Sequence, residues 1–266
     1  MDHQAVLAVF DQQMRRDAPP DGPGARVERI GDVVRQTGAD GAAWNGVVWS
    51  GLGPDTADAA IAEQVRHFSA LGREFEWKLY AHDRPADLAD RLRMAGFSPE
   101  PPETLMVAEV ADLPTEVELP EGVRLLPVTD VAGVDLMTSA HEEAFGKDGS
   151  RLRHRILARL TQEPDSMAAV VAMAGEVPVC AARTEFHPAS DFASLWGGGT
   201  APAWRGRGIY RALVAHRARL AADRGCRWLQ VDASDDSRPI LQRLGFTALT
   251  TTTPHVYGPP RPRLIR

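Results

Sequence analysis

Two stretches of this 266-residue chain resemble each other, and their spacing limits the architectures it can adopt. Phe75 to Phe97 reads FEWKLYAHDRPADLADRLRMAGF, and Cys226 to Phe246 reads CRWLQVDASDDSRPILQRLGF. Each runs through a strand, an Asp-containing turn with Pro, a short helix with Leu or Met, and a closing Gly-Phe. Trp77 precedes Gly96 by 19 residues, and Trp228 precedes Gly245 by 17. Phe246 follows Phe97 by 149 residues, a period too long for a solenoid unit and suited to two copies of a whole domain. The competing explanation is chance likeness between two strand-helix units.

The surrounding pattern supplies further elements for both copies. Val6, Val9, Phe10 and Met14 have helical spacing within Asp2 to Arg16, which the Pro- and Gly-rich run from Ala18 to Gly24 ends. Ala42 to Trp49 reads as strand around a turn, Thr56 to Leu71 as an amphipathic helix, and Phe75 to Tyr80 as a buried strand. Ala86 to Met94 is a helix stopped at Gly96, and Thr104 to Val110 another strand. The best linker candidate runs from Asp112 to Gly122. Beyond it come a strand at Val123 to Pro127, helices at about Asp130–Phe145 and Ser150–Thr161, and a hairpin, Met167–Met173 with Val177–Phe186, around Gly175. A glycine-bearing strand, Phe192 to Thr200, leads to a helix from Ile209 to Arg224 closed by Gly225, and then to a strand at Arg227 to Val231. The order is an α/β pattern with an antiparallel portion at its front.

No apolar run approaches the ~18–20 residues that span a bilayer, and the opening MDHQAVLAVFDQQMRRDAP lacks the basic-then-apolar order of a secretory signal. A cytoplasmic protein without membrane contact is expected. Cys180 and Cys226 cannot build a disulfide framework, and eight scattered histidines show no paired ligand spacing, so no metal site is expected. The formal charge of −6 argues against a general nucleic-acid binder. Residues 1–120 hold 11 Lys and Arg against 21 Asp and Glu, whereas residues 121–266 hold 19 against 15. An anionic ligand is therefore sought in the second half, although ordinary solvated surface charge also accounts for so small a balance.

The segment Thr200-Ala-Pro-Ala-Trp-Arg205-Gly206-Arg207-Gly208-Ile209-Tyr210-Arg211 lies between the glycine-rich strand and a helix. Unpaired N–H groups of a first helical turn and the positive end of the helix dipole favour an anion there. Gly206 and Gly208 let the main chain approach oxygen atoms that a Cβ would fend off, and Arg205, Arg207 and Arg211 add positive charge. A dinucleotide fingerprint begun at Gly206 would need a third glycine at 211, where Arg211 stands, and no Gly-Lys-Ser/Thr follows a glycine loop. The three glycines Gly197 to Gly199 weaken their strand, so they point to a bulge or to a ligand lying along the backbone.

This segment resembles the coenzyme-A loop of the GCN5-related N-acetyltransferase (GNAT) superfamily, with its Gln/Arg-x-x-Gly-x-Gly/Ala motif after a strand and a Pro. The match is Arg205-Gly206-Arg207-Gly208-Ile209-Tyr210, with Pro202 upstream and Gly245-Phe246 downstream, and it covers about Val123 to Tyr257. The resemblance implies an acetyl-CoA site. In it Gly206 to Arg211, including Ile209, hold the pyrophosphate, and a splayed strand ending at Gly199-Thr200-Ala201 pairs with the pantetheine arm. It also implies direct attack of an amine on the thioester. Residues 1–115 read as a degenerate GNAT-like module without the cofactor loop, and residues 116–266 as the catalytic module.

The chain departs from the family pattern at three places. Tyr210 stands at the end of the loop, Ser234 replaces a frequent cofactor-contacting Asn, and Leu241 replaces the frequent general-acid Tyr four residues before Gly-Phe. Leu241 cannot protonate a leaving thiolate, so another group, water or positioning alone must serve. Candidate bases are Glu142 and Glu143, with His141 and Asp148, on or beside the helix that the family uses to line its acceptor site. His255 and Tyr257 follow the last Gly-Phe unit, and each could equally be core. The expected fold is a mixed-sheet α/β (α+β) protein of two tandem GNAT-like modules, each a mostly antiparallel sheet with a splayed strand and flanking helices. The expected function is an N-acetyltransferase acting on a small primary amine, with its oligomeric state open; the alternative is an acyl-CoA-binding sensor or structural module without turnover.

Overall fold

A computed structural model describes residues 1–40 and 43–258. The chain separates into two compact units. One is Met106–Ala248; the other joins Asp2–Leu105 to the chain from Leu249 onward. This division differs from the expected boundary at 115/116. Leu113, in the expected linker, is buried in the core of the second-half unit, and the last strand leaves that unit after Ala248.

In the unit of the first half, a helix, α1 (His3–Phe10), is capped by the Asp2 carboxylate, which accepts from the amides of Gln4 and Ala5. β1 (Arg26–Ile30) and β2 (Val33–Thr37) form a hairpin around Gly31, in the left-handed region at φ 58°. β3 (Gly46–Ser50), α2 (Ala57–Ala70), β4 (Phe75–Tyr80), α3 (Leu88–Met94) and the two-residue β5 (Ser98–Pro99) follow. The sequence reading had no strands over 26–37. Their burial is uneven, with β1 largely exposed, so the apolar alternation that reveals a strand is weak there. β6 (Glu103–Glu109) crosses from this unit into the other.

The unit of the second half places β7 (Val123–Pro127), α4 (Val131–Phe145), α5 (Ser150–Gln162), β8 (Met167–Ala174), β9 (Val177–Phe186), β10 (Phe192–Thr200), α6 (Ile209–Asp223), β11 (Trp228–Ala233) and α7 (Arg238–Arg243) in chain order. The strands run β7-β8-β9-β10-β11 across the sheet, antiparallel except for the β10–β11 pair. β9 is buried at every residue from Val179 to Phe186, because helices cover both faces of the sheet. On one face α6 packs Ile209 and Leu213 against β8 and β9, and Val214, Ala218 and Ala221 against β10 and β11. On the other, α4 and α5 pack Val134, Met137, Ala140 and Ile156 against β8 and β9.

The two Gly-Phe units prove structurally equivalent. Leu92 and Leu241 each lie five residues before a phenylalanine whose N–H donates to the leucine carbonyl, both at 3.0 Å. Gly96 and Gly245 close the turns at φ 96° and 98°, and their N–H groups donate to the Arg93 and Gln242 carbonyls. This is a Schellman cap, in which the residue after the glycine also packs on the leucine. Both leucines are fully buried, which explains why Leu241 is an aliphatic side chain.

β12 (Thr247–Tyr257) ends the described chain. Residues Thr252 to Tyr257 pair antiparallel with β4, and His255 and Val256 with β5, within the first-half unit. Gly96→Ala and Gly245→Ala are each expected to lower stability by about 1–2 kcal/mol, because an L-residue is strained at this φ. Urea unfolding of the two variants beside the wild type measures the change.

Candidate functional site

The site grows out of the way β10 leaves β11. Their parallel pairing covers Phe192–Ser194 against Trp228–Gln230, and then the strands part although both continue. At the last rung the Ser194 hydroxyl joins the side chains of Gln230 and His187, the latter at 2.7 Å. On its other side β10 stays with β9, but the register slips between Trp196 and Gly199, leaving Gly197 and Gly198 as a bulge. The edge of β10 from Leu195 to Thr200 thus turns main-chain groups away from β11.

The three glycines of this segment are required by its neighbours. A Cβ on Gly198 would stand 2.8 Å from the Tyr210 ring, and one on Gly199 would stand within the Phe145 ring's contact distance, at 2.4 Å. Gly197 has φ 60° and faces Arg183. Helices therefore press on the bulge from both faces, α6 through Tyr210 and α4 through Phe145.

After Thr200 the chain makes a 3₁₀ turn, Pro202–Trp204, and reaches α6 through Gly206 (φ 76°) and Gly208 (φ 82°). Gly208 is the N-cap of α6, and no side chain caps the helix. Nothing lies within 4 Å of a Cβ built on Gly206, and only the Arg211 guanidinium approaches one on Gly208. These glycines answer to backbone conformation, with open space above them. A diphosphate fits such a cradle: bare N–H groups, a helix dipole, and no side chain in the way.

The arginines of the loop divide their roles. Arg205 donates to the Thr200 carbonyl (3.1 Å) and the Ala144 carbonyl (3.0 Å), tying the loop to the end of β10 and the last turn of α4. Arg207 lies over the Trp204 ring at 4.5 Å, and Arg211, exposed, faces Glu118 at 3.8 Å. Ala201 is buried and donates its N–H to the Val179 carbonyl. Ser234 is exposed where β11 turns toward α7, its carbonyl accepting from the amides of Ser237 and Arg238.

Among the candidate bases, Glu142 and Glu143 are exposed on α4, and the Glu142 carboxylate accepts the Gly149 N–H at 2.9 Å. Asp148 accepts from the Ser150 amide and hydroxyl, which hold its carboxyl below the usual range. His141 is half-buried, with its ring 4.7 Å from that of Phe145. Burial first, then the positive charges of Arg183 and Lys147, push its pKa down, so the imidazole is neutral at pH 7. Tyr257 and His255 lie in the other unit: the Tyr257 ring packs with Phe75 and Phe97, and His255 is buried with Nδ1 3.0 Å from the Thr253 carbonyl. Their neighbours are those of a core, not of the glycine loop.

The sequence reading missed the floor of the site. Glu185 on β9 meets Arg183 at 2.8 Å and Arg159 of α5 at 3.5 Å, all buried, and Arg183 lies over the Trp196 ring at 5.6 Å. Burial raises the Glu185 pKa, but the charges of Arg183 and Arg159 outweigh it and bring it to about 2.

The first-half unit repeats the fork with different contents. β3 runs parallel to β4 over Gly46–Val47 against Glu76–Trp77 before the strands part, and β3 also bulges against β2, at Val48. Here Arg15 fills the opening. Its Nε donates to the Val48 carbonyl at 3.1 Å, Nη2 to both oxygens of Asp83 at 2.8 and 2.7 Å, and Nη1 to Asp11 at 2.7 Å. The turn into α2 carries Asp55 and Asp58 in place of arginines, and Thr56 Oγ1 accepts the Gly53 N–H.

Residues 134–246 match the acetyltransferase (GNAT) family. In structure the chain is similar to a GCN5-related N-acetyltransferase from Kribbella flavida, at 21% identity and a TM-score of 0.68, over 98% of this chain and 95% of that one. A functionally unknown conserved protein from Staphylococcus epidermidis ATCC 12228 gives 14% and 0.68 over 91% and 96%. A tandem GNAT protein from the clavulanic acid biosynthesis pathway gives 14% and 0.58 over 97% and 94%. No curated protein matches. The second-half unit thus carries the match to the GNAT family, and the chain as a whole shares the fold of these structures. Among the described residues no helix is long and apolar enough to cross a membrane.

Glu185 has a depressed folded pKa, so the stability it contributes is full above about pH 4.5 and fades as pH falls toward 2. Urea midpoints measured down that range should fall more steeply for the wild type than for Glu185→Gln.

Proposed function

We propose that the second-half module binds acetyl-CoA and transfers its acetyl group to a primary amine of a small molecule. One observation carries this reading: the parted strand β10 leads through the short Pro202–Trp204 turn into the uncapped, glycine-led start of α6. Amides from Gly206 to Arg211 would hold the diphosphate, and the free edge of β10 would pair with the amides of the pantetheine arm. Arg205 holds the loop to β10 and α4, while Arg207, Arg211 and Ser234 stand at the rim. The acyl donor, when bound, supplies an activated thioester carbon.

Of the candidate bases, His141 suits the task best. A neutral imidazole has a lone pair for an ammonium proton, and its helix packs Phe145 on Gly199 beside the bulge. Glu142 and Glu143 remain candidates for orienting the incoming cation. The first-half module, its fork filled by Arg15 and its helix start lined by acids, is assigned no cofactor. The alternative of a sensor that binds the donor without turnover is favoured by Leu241, a core leucine where an acid would stand.

Gly208→Val should weaken affinity for CoA at least tenfold, ~1.4 kcal/mol, by isothermal calorimetry. Gly225→Ala, equally left-handed at φ 70° but at the far end of α6, controls for backbone strain and should bind normally. Thiol release from acetyl-CoA across a panel of amines separates the two readings, since binding without release on every amine supports the sensor.

In the active enzyme, the acid limb of kcat/KM should lie below the ordinary histidine range. His141→Gln should abolish that limb and lower kcat by about 10²-fold or more. An unchanged profile in this variant would return the role to Glu142, Glu143 or solvent.

A further inference from the structure

Arg217, like Arg15, is a buried arginine beside a parted strand, and it lacks the carboxylate partners that Arg15 has. Arg15 in the first-half module is 2% exposed and meets two carboxylates, Asp83 and Asp11. Arg217, on α6, is 1% exposed. Its Nε donates to the Leu213 carbonyl at 3.1 Å, but its Nη2 is buried with no hydrogen-bond partner among the described residues. The groups facing it are the Tyr210 side chain on its own helix, which hydrogen-bonds the guanidinium, and the Cys180 thiol on β9, whose pKa burial raises; no carboxylate is among them. Burying a guanidinium without a counter-ion is costly, and well-packed apolar residues in such a place often give a fold at least as stable.

The position of Arg217 suggests what offsets that cost. Nη2 stands 3.4 Å from where a Cβ on Gly198 would be, so the cation lies against the bulge of β10, four residues past the last rung with β11. Resting on the proposed function, we infer that Arg217 supplies the positive charge that stabilises the departing thiolate of CoA. In the transfer the amine lone pair forms the N–C bond to the acyl carbon, and the C–S bond breaks with its electron pair left on sulfur. The proton lost from nitrogen goes to His141 or solvent, and the thiolate takes a proton from solvent after release. Leu241, fully buried in the core, donates none. A fixed cation in a low-dielectric setting does by charge what a proton donor would do by transfer.

The test reads the thiol of bound CoA in the full-length protein. Thiolate absorbance is titrated for the CoA complex and corrected with the complex of desulfo-CoA, which removes the signals of Cys180 and Cys226. The wild type should lower the thiol pKa of bound CoA by at least one unit, a tenfold shift in its ionisation. Arg217→Met should return it to the free value while raising or preserving the urea midpoint, and Arg217→Lys should keep most of the shift. A thiol pKa that does not change on binding to the wild type, or that Arg217→Met leaves lowered, overturns the inference alone. A less stable Arg217→Met with an unchanged thiol pKa makes the residue structural. Failure of the wild type to bind CoA at all overturns the acyl-donor reading and this inference together.

Discussion

A parallel strand pair that separates after three rungs creates a demand the rest of the second-half module is arranged around. Main-chain N–H and C=O groups turned away from their neighbour need partners, and burying them unpaired is costly. In β10 the separation is sustained by the Gly197–Gly198 bulge, which redirects the strand, and by Phe145 and Tyr210, which pack where side chains of the strand would otherwise project. The bulge thus trades side-chain packing within the strand for packing of helices upon it. A ligand rich in amides can satisfy such an edge, whereas an apolar ligand cannot.

The two modules show two solutions to that demand. In the first-half module a protein side chain answers it: the Arg15 guanidinium takes the Val48 carbonyl of the bulged strand, and Asp83 and Asp11 neutralise it. Asp83 is anchored in turn by the Tyr80 amide at the end of β4, so one ion-paired group spans from one parted strand to the turn beyond the other. A buried pair held this firmly is expensive to break from either side. The opening of this unit is closed from within.

Much of the frame was legible in sequence because it rests on local rules. The paired Gly-Phe units could be read since a left-handed glycine followed by an apolar residue is the signature of a helix stop, and Gly96 and Gly245 take nearly the same φ. The glycine loop was legible for the same reason. What escaped was non-local. β1 is mostly charged and exposed and β2 is buried along nearly its whole length, so neither shows apolar alternation, and residues 252–257 follow the second Gly-Phe unit in sequence yet pair with β4. Strand partnership across more than 170 residues leaves no local trace, so His255 and Tyr257 looked like neighbours of the loop.

The chemistry was less legible still, because it depends on which identical residue types are exposed. Arg205, Arg207 and Arg211 lie close to the loop in sequence and attract attention, yet Arg205 is occupied with two carbonyls and the others lie at the surface. Arg217 reads as one more cation on a helix containing Arg211 and Arg219. Its distinction is burial without a counter-ion, a property of the fold and not of the pattern. The same logic separates His141 from Glu142, its neighbour in sequence: one side chain turns toward Arg183 and loses its proton readily, the other turns to Gly149 and holds a loop. In this module the fold withdraws His141 and Arg217 from water and leaves Arg207 and Arg211 exposed beside the glycine loop.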